Sequence, residues 1–257
     1  MNELSDGVTP PPLYSLVIPA HDEAGNVVPL LDEIHATLAD TVSYEVIFVD
    51  DASRDATVAQ LTPRIDGHQV RLVRHSQRCG KSAAIKNGVR VARGSWIVVM
   101  DADGQNDPAD IPVLIAAAGA ANADIANGVR RRRQDTLSKR WASRFANRLR
   151  RALLDDGCPD TASGLKLFRR DAFLELPFFS TMHRFFPALF QMHGYRATYP
   201  MINDRPRRFG QSKYSNLGRA LVGIVDLVGV SWLKHRTPAR GTVTEATPGP
   251  VGVNART

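Results

Sequence analysis

The sequence predicts an α/β domain built on a Rossmann-like, mostly parallel sheet with helices on both faces, followed by amphipathic helices toward the C-terminus. Three observations support this fold class. Short runs of almost continuously apolar residues, typical of strands buried on both faces, alternate with segments whose apolar residues recur at helical spacing. Polar clusters follow the ends of several of these runs. The chain of 257 residues is 43% hydrophobic and 23% charged, which is enough to bury the core of one such domain.

The predicted strands and helices follow one another in regular order. Strands are predicted at residues 13–19 (LYSLVIP), 44–49 (YEVIFV), 70–73 and 96–100 (WIVVM). Helices are predicted at residues 27–38, 55–64, 81–93, 137–154 and 217–233, and residues 160–168 are expected to return to the core. Because strands that alternate with helices lie parallel, their carboxyl ends meet at one edge of the sheet, where such folds bind ligands.

An acidic cluster follows the fourth predicted strand, in the order Asp101-Ala102-Asp103-Gly104-Gln105. Its two carboxylates and one amide oxygen are hard ligands of the kind that Mg²⁺ or Mn²⁺ prefers. Such an ion could bridge the two phosphates of a nucleotide-sugar and stabilise the charge on the leaving diphosphate. The alternative is that both aspartates only end the strand and cap a helix that begins near Pro108.

Polar residues after the first and second predicted strands belong to the same expected edge. They are His21-Asp22-Glu23 and Asp50-Asp51. Carboxylates at this edge can accept hydrogen bonds from a nucleobase or a ribose. The alternative is that they are ordinary turn residues, and Asp55 is expected to cap the helix that follows.

The segment Gly80-Lys81-Ser82 superficially resembles part of a phosphate-binding P-loop. His75 stands where that loop requires a glycine, which excludes a P-loop nucleotide triphosphatase. Lys81 at the start of a helix can still approach a phosphate, or it can simply be solvated.

The charge balance predicts an anionic partner. The formal net charge is +7 and the sequence pI is about 9.8, which suits nucleic acid, phospholipid or a phosphorylated substrate. The two cysteines, Cys79 and Cys158, lack the spacing of metal ligands and indicate neither a disulfide framework nor a zinc site. The polar opening residues do not resemble a cleavable signal, so we expect a protein of the reducing cytoplasm. No apolar run reaches the roughly 18–20 residues that cross a bilayer.

Two segments in the second half suggest contact with a membrane surface. A basic run at 130–133 precedes the predicted helix 137–154, in which Trp141 and Phe145 share an apolar stripe flanked by arginines. This pattern suits an anionic membrane interface, with core packing as the alternative. The same two interpretations apply to the apolar stripe of the last predicted helix, which consists of Leu217, Leu221, Ile224, Val225, Val228 and Trp232.

Six segments, taken in order, resemble the family-2 glycosyltransferases, and within them the dolichol-phosphate mannosyltransferase and polyprenyl-phosphate glycosyltransferase branch. They are VIPAHDEAGNV (17–27), VDDASRDAT (49–57), GKSAAIKNGVRVARG (80–94), MDADGQNDP (100–108), DTASGLKLFRRD (160–171) and RRFGQSKY (207–214). The resemblance extends from about residue 13 to residue 236. It implies a GT-A fold, inversion at the anomeric carbon and a divalent metal, Mg²⁺ or Mn²⁺.

The resemblance also implies roles for single residues. Contacts with the nucleotide-sugar are expected from Pro19, Ala20, His21, Glu23, Asp50, Asp51, Lys81, Asp101, Ala102 and Asp103. The metal ligands are expected to be Asp101, Asp103 and Gln105. The acceptor phosphate is expected to contact Arg130, Lys139, Arg140, Ser143, Arg207, Ser212 and Lys213. The residues expected to act in the transfer itself are Asp103, Arg130 and Lys213. His21 departs from the tyrosine or phenylalanine often found there, and Cys79 is assigned no role.

Together these features predict an inverting, metal-dependent glycosyltransferase that moves a sugar from a GDP- or UDP-sugar to a polyprenyl phosphate. A phosphate acceptor is ionised at neutral pH and needs no dedicated base, so catalysis would rest on positioning, the metal and basic side chains. One alternative is a glycosyltransferase of the same fold that acts on a hydroxyl in cell-envelope glycan or glycolipid synthesis, which would need a base. A non-catalytic sugar-nucleotide sensor is a further alternative.

A nucleic-acid-binding module is the alternative from another class. The basic residues lack the interleaved aromatic platform of single-strand binders, so no nucleic-acid partner is expected. The expected organisation is a disordered segment 1–12, a glycosyltransferase domain 13–216, an amphipathic helix 217–236 that contacts the membrane, and a disordered tail 237–257. The chain resembles the peripheral members of the branch, and we expect it at the cytoplasmic face of the membrane.

Overall fold

The computed structural model describes residues 12–131, 150, 152–206 and 216–238, and these form the α/β fold that the sequence predicts. The strands are β1 (Tyr14–Ala20), β2 (Tyr44–Asp50), β3 (Val70–Arg74), β4 (Trp96–Val99), β5 (Ile125–Asn127), β6 (Val129–Arg130), β7 (Lys166–Arg169), β8 (Ala197–Thr198) and β9 (Met201–Ile202). The helices are α1 (Val27–Leu38), α2 (Thr57–Leu61), α3 (Lys81–Val91), α4 (Ile111–Ala121), α5 (Arg170–Leu174), α6 (Phe186–Met192) and α7 (Asn216–Arg236). Short 3-10 turns cover Thr62–Arg64, Pro108–Asp110 and Met182–Arg184.

The main sheet of the described residues has seven strands in the order β3-β2-β1-β4-β7-β5-β8, and β6 pairs with β9 beside it. β1 runs parallel to both neighbours, with Val17 opposite Ile47 of β2 and Val99 of β4. The carboxyl ends of these three strands therefore meet at one edge, as predicted. β7 runs antiparallel to β4 and pairs its first residue, Lys166, with Val99. The residues just before β7 consequently return to the same edge.

The predicted elements that the structure describes are observed near their predicted bounds, with two shortened helices: the helix predicted at 81–93 ends at Val91, and the helix predicted at 55–64 is reduced further. α1 covers residues 27–38 as predicted. The predicted helix 55–64 is α-helical only over Thr57–Leu61 and continues as the 3-10 turn Thr62–Arg64. Pro63 has no N–H to donate to the preceding turn, so the α-helical hydrogen-bond pattern cannot continue through it.

The core consists of two apolar layers, one on each face of the sheet. Successive side chains of a strand point to opposite faces. Leu16 and Ile18 of β1 pack with α1 and α4, whereas Val17 packs with α3, α5 and α6. At Gly88 of α3 an added Cβ would lie 2.4 Å from Cγ1 of Val17, so the glycine lets this helix lie close against the sheet. The close packing of α3 fixes its first residue, Lys81, at the ligand edge.

The last helix, α7, presents an apolar stripe to solvent. Ile224, Val225, Val228 and Trp232 are all more than half exposed, while Leu227 and Val230 face the core. Core packing, the alternative interpretation of the predicted stripe, is therefore wrong for these four exposed residues, and the side chains of Leu217 and Leu221 lie outside the described residues. Within the described residues, no helix is both long and apolar enough to cross a membrane.

Several predicted features fall outside the described residues. These include most of the predicted helix 137–154, and nearly all of the segments 1–12 and 237–257. The return of residues 160–168 to the core is observed, since Leu165, Leu167 and Phe168 are fully or almost fully buried.

Candidate active site

The candidate site lies at the carboxyl edge of β1, β2 and β4, where the turns after these strands contact one another. Ala20, the last residue of β1, lies opposite Asp50, the last residue of β2. The N–H of Asp51 donates to the carbonyl of Ala20 at 2.8 Å, and Nδ1 of His21 donates to the carbonyl of Asp51 at 2.8 Å. The structure thus brings together the residues predicted to contact the nucleoside, including Pro19 within β1 and Glu23 just beyond it.

Hydrogen bonds between the turn after β1 and the turn after β2 make this part of the edge rigid. The N–H groups of Asp22 and Glu23 donate to the hydroxyls of Ser53 and Thr57 at 2.9 and 2.8 Å. Asp22 and Ala52 both adopt positive φ, at 52° and 59°, which is uncommon for residues other than glycine. Such backbone conformations cluster at ligand sites, where neighbouring contacts hold them in place.

The carboxylate of Asp51 accepts hydrogen bonds from other residues of the chain. Its Oδ1 accepts from Nδ1 of His75 at 2.8 Å and from the N–H of Cys79 at 2.7 Å, and its Oδ2 accepts from the N–H of Gly80 at 2.8 Å. Burial raises the pKa of this carboxyl, but the hydrogen bonds from His75, Cys79 and Gly80 outweigh that effect and hold it below its usual range. Asp51 therefore anchors the loop that leads into α3.

Asp50 has one buried carboxylate oxygen that lacks a hydrogen bond among the described residues. Its side chain is buried, and Oδ1 accepts from the N–H of Ser53 at 3.2 Å. Oδ2 is buried and has no hydrogen-bond partner among the described residues, with Nε of Arg74 at 3.8 Å. A buried acceptor without a partner is costly unless a ligand satisfies it. Asp50 thus differs from Asp51, whose two carboxylate oxygens both accept hydrogen bonds from the chain.

Asp101 forms an ion pair with Lys81, the first residue of α3. Nζ of Lys81 donates to Oδ1 of Asp101, and both side chains are about one-third exposed. On its other side Asp101 abuts the turn before β7, because a Cβ at Gly164 would lie 2.5 Å from Oδ2 of Asp101 and from Oδ1 of Asn106. Oδ1 of Asn106 in turn accepts from the N–H of Asp101 at 3.1 Å.

Asp103 and Gln105 lie on a turn whose backbone is held on both sides. Asp103 is nearly buried, and its Oδ1 accepts from the N–H of Gln105 at 3.1 Å. The carbonyl of Gln105 accepts from the N–H of Arg205 at 3.0 Å. Asp101 and Asp103 do not cap the turn Pro108–Asp110, as the alternative interpretation expected, because the side chain of Asp107 caps it.

These residues fit a divalent cation. Two carboxylates two residues apart follow β4, and a cationic ammonium group already lies against one of them. Oxygen ligands of this kind suit Mg²⁺ or Mn²⁺. The expected set of Asp101, Asp103 and Gln105 remains a prediction.

Arg130, a predicted acceptor-phosphate residue, is paired with a carboxylate. Its Nε donates to Oδ2 of Asp160 at 2.7 Å and its Nη2 to Oδ1 at 3.0 Å, a two-pronged contact that fixes the guanidinium plane. The remaining residues predicted for the acceptor phosphate lie outside the described residues. These are Lys139, Arg140, Ser143, Arg207, Ser212 and Lys213.

Two basic residues near the site were not identified from the sequence. Lys166 is buried, and its Nζ donates to the carbonyls of Ser163 and Thr161 in the turn that abuts Asp101. Burial lowers the pKa of Lys166 to about 8. The sequence feature that could have identified it is a lysine inside the otherwise apolar run GLKLF. Arg205 binds Glu33 of α1 through Nη1 at 2.7 Å and Asp107 through Nη2 at 2.6 Å. It thereby ties the turn after β4 to α1, a link between residues too far apart in the chain for any local pattern to show.

Comparison with known proteins identifies a family. The sequence model of "Glycosyl transferase family 2" matches residues 15–176, which is more than half of the chain. The dodecaprenyl-phosphate galacturonate synthase of Rhizobium johnstonii is 33% identical over 230 residues, covering 84% of this chain and 65% of that protein. The undecaprenyl-phosphate 4-deoxy-4-formamido-L-arabinose transferase of Klebsiella pneumoniae subsp. pneumoniae is 33% identical over 216 residues, covering 81% and 65%. The chain thus spans slightly less than two thirds of the length of these relatives.

Solved structures with a similar fold are more distant in sequence. A crystal structure of glucosyl-3-phosphoglycerate synthase from Mycobacterium tuberculosis, in complex with Mn²⁺, uridine diphosphate and glucosyl-3-phosphoglycerate, matches with a TM-score of 0.65 at 20% identity. The match covers 90% of this chain and 82% of that one. A mannosyltransferase from Pyrobaculum calidifontis in complex with GDP-Man and Mn²⁺ matches with a TM-score of 0.60 at 21% identity, covering 91% and 67%. At these identities the similarity concerns the fold, and it confirms the predicted GT-A architecture.

Proposed function

The chain belongs to glycosyl transferase family 2, and from that premise we propose that it transfers a sugar from a GDP- or UDP-sugar to a polyprenyl phosphate, with inversion at the anomeric carbon. The observation that carries this proposal is the pairing of Lys81 with Asp101 beside Asp103 at the carboxyl edge of the sheet. This edge offers carboxylates for a cation and an ammonium group for a diphosphate. The relatives named above act on polyprenyl phosphates according to their names, which supports the choice of acceptor.

The donor half of the reaction uses the turns after β1, β2 and β4. Bound Mg²⁺ or Mn²⁺ would supply a Lewis acid that stabilises the leaving diphosphate, and Asp101, Asp103 and Gln105 are the residues that would hold it. Lys81 exchanges its contact with Asp101 for one with the diphosphate. Asp50 lies next to the backbone of Ala20 and His21, where the nucleoside is expected, and its buried Oδ2 would have to become exposed to accept a hydrogen bond from it. The rigidity of these turns positions the donor before the transfer begins.

The acceptor half relies on an anion that is already a nucleophile. A phosphate monoester carries about −1.5 to −2 charges near pH 7, so no side chain has to remove a proton from it. Arg130 contributes a guanidinium group whose plane Asp160 holds in place. In this proposal Arg130 orients the phosphate toward the anomeric carbon, together with the basic residues that include Lys139 and Lys213 in the sequence.

The exposed stripe of α7 fits an acceptor that resides in a membrane. Ile224, Val225, Val228 and Trp232 form an apolar face, and the helix ends with Lys234, His235 and Arg236. An apolar face next to basic residues favours adsorption to an anionic lipid surface. We propose that the protein works as a peripheral enzyme at the cytoplasmic face of the membrane.

The test is a transfer assay with labelled donors. Wild-type protein, UDP- and GDP-sugars, Mn²⁺ or Mg²⁺ and a polyprenyl phosphate should yield an acid-labile glycolipid. Asp103→Asn should lose this product. Asp40→Asn, which changes an exposed carboxylate after α1 at the opposite edge of the sheet, should retain it. Folded wild-type protein that forms no product with any donor, or that glycosylates only hydroxyl acceptors, would refute the proposed acceptor.

A further inference from the structure

A second group of metal-ligating side chains, which shares no residue with Asp101 and Asp103, follows the ends of β2 and β3. Asp51, His75 and Cys79 each offer one ligand atom, and these three atoms lie within 4.8 Å of one another. We propose that this cluster binds a thiophilic divalent cation, of the class of Zn²⁺ or Co²⁺. The spacing of the two cysteines did not indicate such a site, because its ligands come from three separate positions in the chain.

The strand pairing brings the first two ligands together. The N–H of His75 donates to the carbonyl of Asp50 at 2.9 Å, which extends the β2–β3 ladder by one residue. Nδ1 of His75 and Oδ1 of Asp51 are consequently 2.8 Å apart. A cation bound by both atoms would replace the hydrogen that they now share, and the two side chains would move slightly apart to reach bond lengths of about 2.0–2.2 Å. Oδ2 of Asp51 keeps its hydrogen bond from the N–H of Gly80, so the carboxylate stays anchored.

His75 is already oriented as a metal-binding histidine would be. Its other ring nitrogen, Nε2, lies 2.9 Å from the side-chain amide of Asn87 on α3. Ligating histidines generally use their second nitrogen for a hydrogen bond that fixes the ring. With a cation on Nδ1, the ring proton moves to Nε2, and the amide of Asn87 turns its oxygen toward that N–H.

Cys79 supplies the ligand that sets the choice of cation. Its side chain is exposed, and its Sγ has only a weak contact with the carbonyl of Gln77 at 3.3 Å, so rotation toward Asp51 costs little. Its backbone N–H is held by Asp51, which keeps the residue beside the other two ligands. On binding, the thiol releases one proton to solvent and the thiolate coordinates the cation. A sulfur, nitrogen and oxygen set favours Zn²⁺ or Co²⁺ over Mg²⁺ and leaves one position open in a tetrahedral site.

The other cysteine does not compete for such a cation. Cys158 is fully buried, and burial raises the pKa of its thiol to about 11. A thiolate–metal signal from this protein is therefore assigned to Cys79.

Titration of the full chain with Co²⁺ under non-chelating reducing conditions tests the proposal. Wild-type protein should show a thiolate-to-cobalt absorption band that rises to saturation and disappears when Zn²⁺ is added. Cys79→Ser, an exposed substitution that should not affect folding, should abolish the band. Asn87→Ala should lower the affinity by about 10–100-fold, the usual effect of losing the residue that orients a ligand. Asp103→Asn should leave the band unchanged, because Asp103 is not one of the three ligands.

Three outcomes would overturn the proposal. They are the absence of a band in folded wild-type protein, a band that persists in Cys79→Ser, and a band that disappears in Asp103→Asn. Loss of sugar transfer in Asp103→Asn bears only on the proposed function, so the two proposals fail independently.

Discussion

Replacing Lys81 by methionine should affect the two expected ligands of the candidate site in opposite directions. The ammonium group of Lys81 pairs with Oδ1 of Asp101, an expected metal ligand. A cation bound by Asp101 competes with this ammonium group for the same carboxylate, whereas a diphosphate would receive it. Lys81→Met should therefore strengthen the binding of Mn²⁺ alone and weaken the binding of the nucleotide.

The size of each effect follows from the exposure and chemistry of the pair. The side chains of Lys81 and Asp101 are 33% and 31% exposed, so solvent screens their attraction. Ion pairs of this kind contribute roughly 0.2–1 kcal/mol, and without that competition Mn²⁺ should bind about 1.4–5-fold more tightly. A hydrogen bond to a charged group contributes about 1.5–3 kcal/mol, so the nucleotide should bind about 10–150-fold more weakly.

Isothermal titration calorimetry separates the two effects. Mn²⁺ is titrated alone, and UDP or GDP is then titrated at saturating Mn²⁺, for wild type, Lys81→Met and Lys86→Met. Lys86 lies on the same helix but stacks over the ring of Phe178, 4.0 Å from its centroid, and its variant should behave as wild type. Weaker Mn²⁺ binding in Lys81→Met, or an unchanged affinity for the nucleotide, would refute the reasoning.

Three further perturbations test other parts of the structure. Gly164→Ala places a Cβ 2.5 Å from Oδ2 of Asp101 and Oδ1 of Asn106, so it should weaken Mn²⁺ binding by calorimetry and lower the melting temperature; unchanged values would show that the turn can move aside. Burial lowers the pKa of Lys166 from 10.5 to about 8. Between these pH values the unfolded chain binds more protons than the folded chain, so the contribution of Lys166 to the free energy of unfolding should rise with pH. Urea unfolding at several pH values should show a smaller rise in Lys166→Met, and an equal rise would contradict the lowered pKa of Lys166. The double change Val228→Glu and Trp232→Glu should reduce co-sedimentation with anionic vesicles about tenfold or more, because burial of each apolar side chain contributes roughly 1.5–3 kcal/mol. Thermal stability should stay as in wild type, since both residues are exposed. Equal co-sedimentation would exclude α7 as the docking face.

Most of the fold could be predicted from the sequence because its signals are local. Runs such as YEVIFV identify a buried strand within a few residues, and the spacing of Val27, Leu30, Leu31 and Ile34 identifies α1. The edge that collects Ala20, Asp50 and Asp101 follows from strand alternation alone. The antiparallel insertion of β7 between β4 and β5 did not follow, because it depends on pairing between segments about 70 and about 40 residues apart rather than on periodicity.

The sequence predicted where the candidate site lies, but it did not predict which side chains contact one another there. Residue types and their positions after strands determined that acidic side chains gather at one edge of a parallel sheet. Only the tertiary structure decided which of these carboxylates have a partner within the chain. Asp51 binds His75 and the loop before α3, Asp101 binds Lys81, and Asp160 binds Arg130. The physical reason is that periodic burial is encoded within a single strand or helix. The choice of hydrogen-bond partner depends on how separate turns meet after the core has packed.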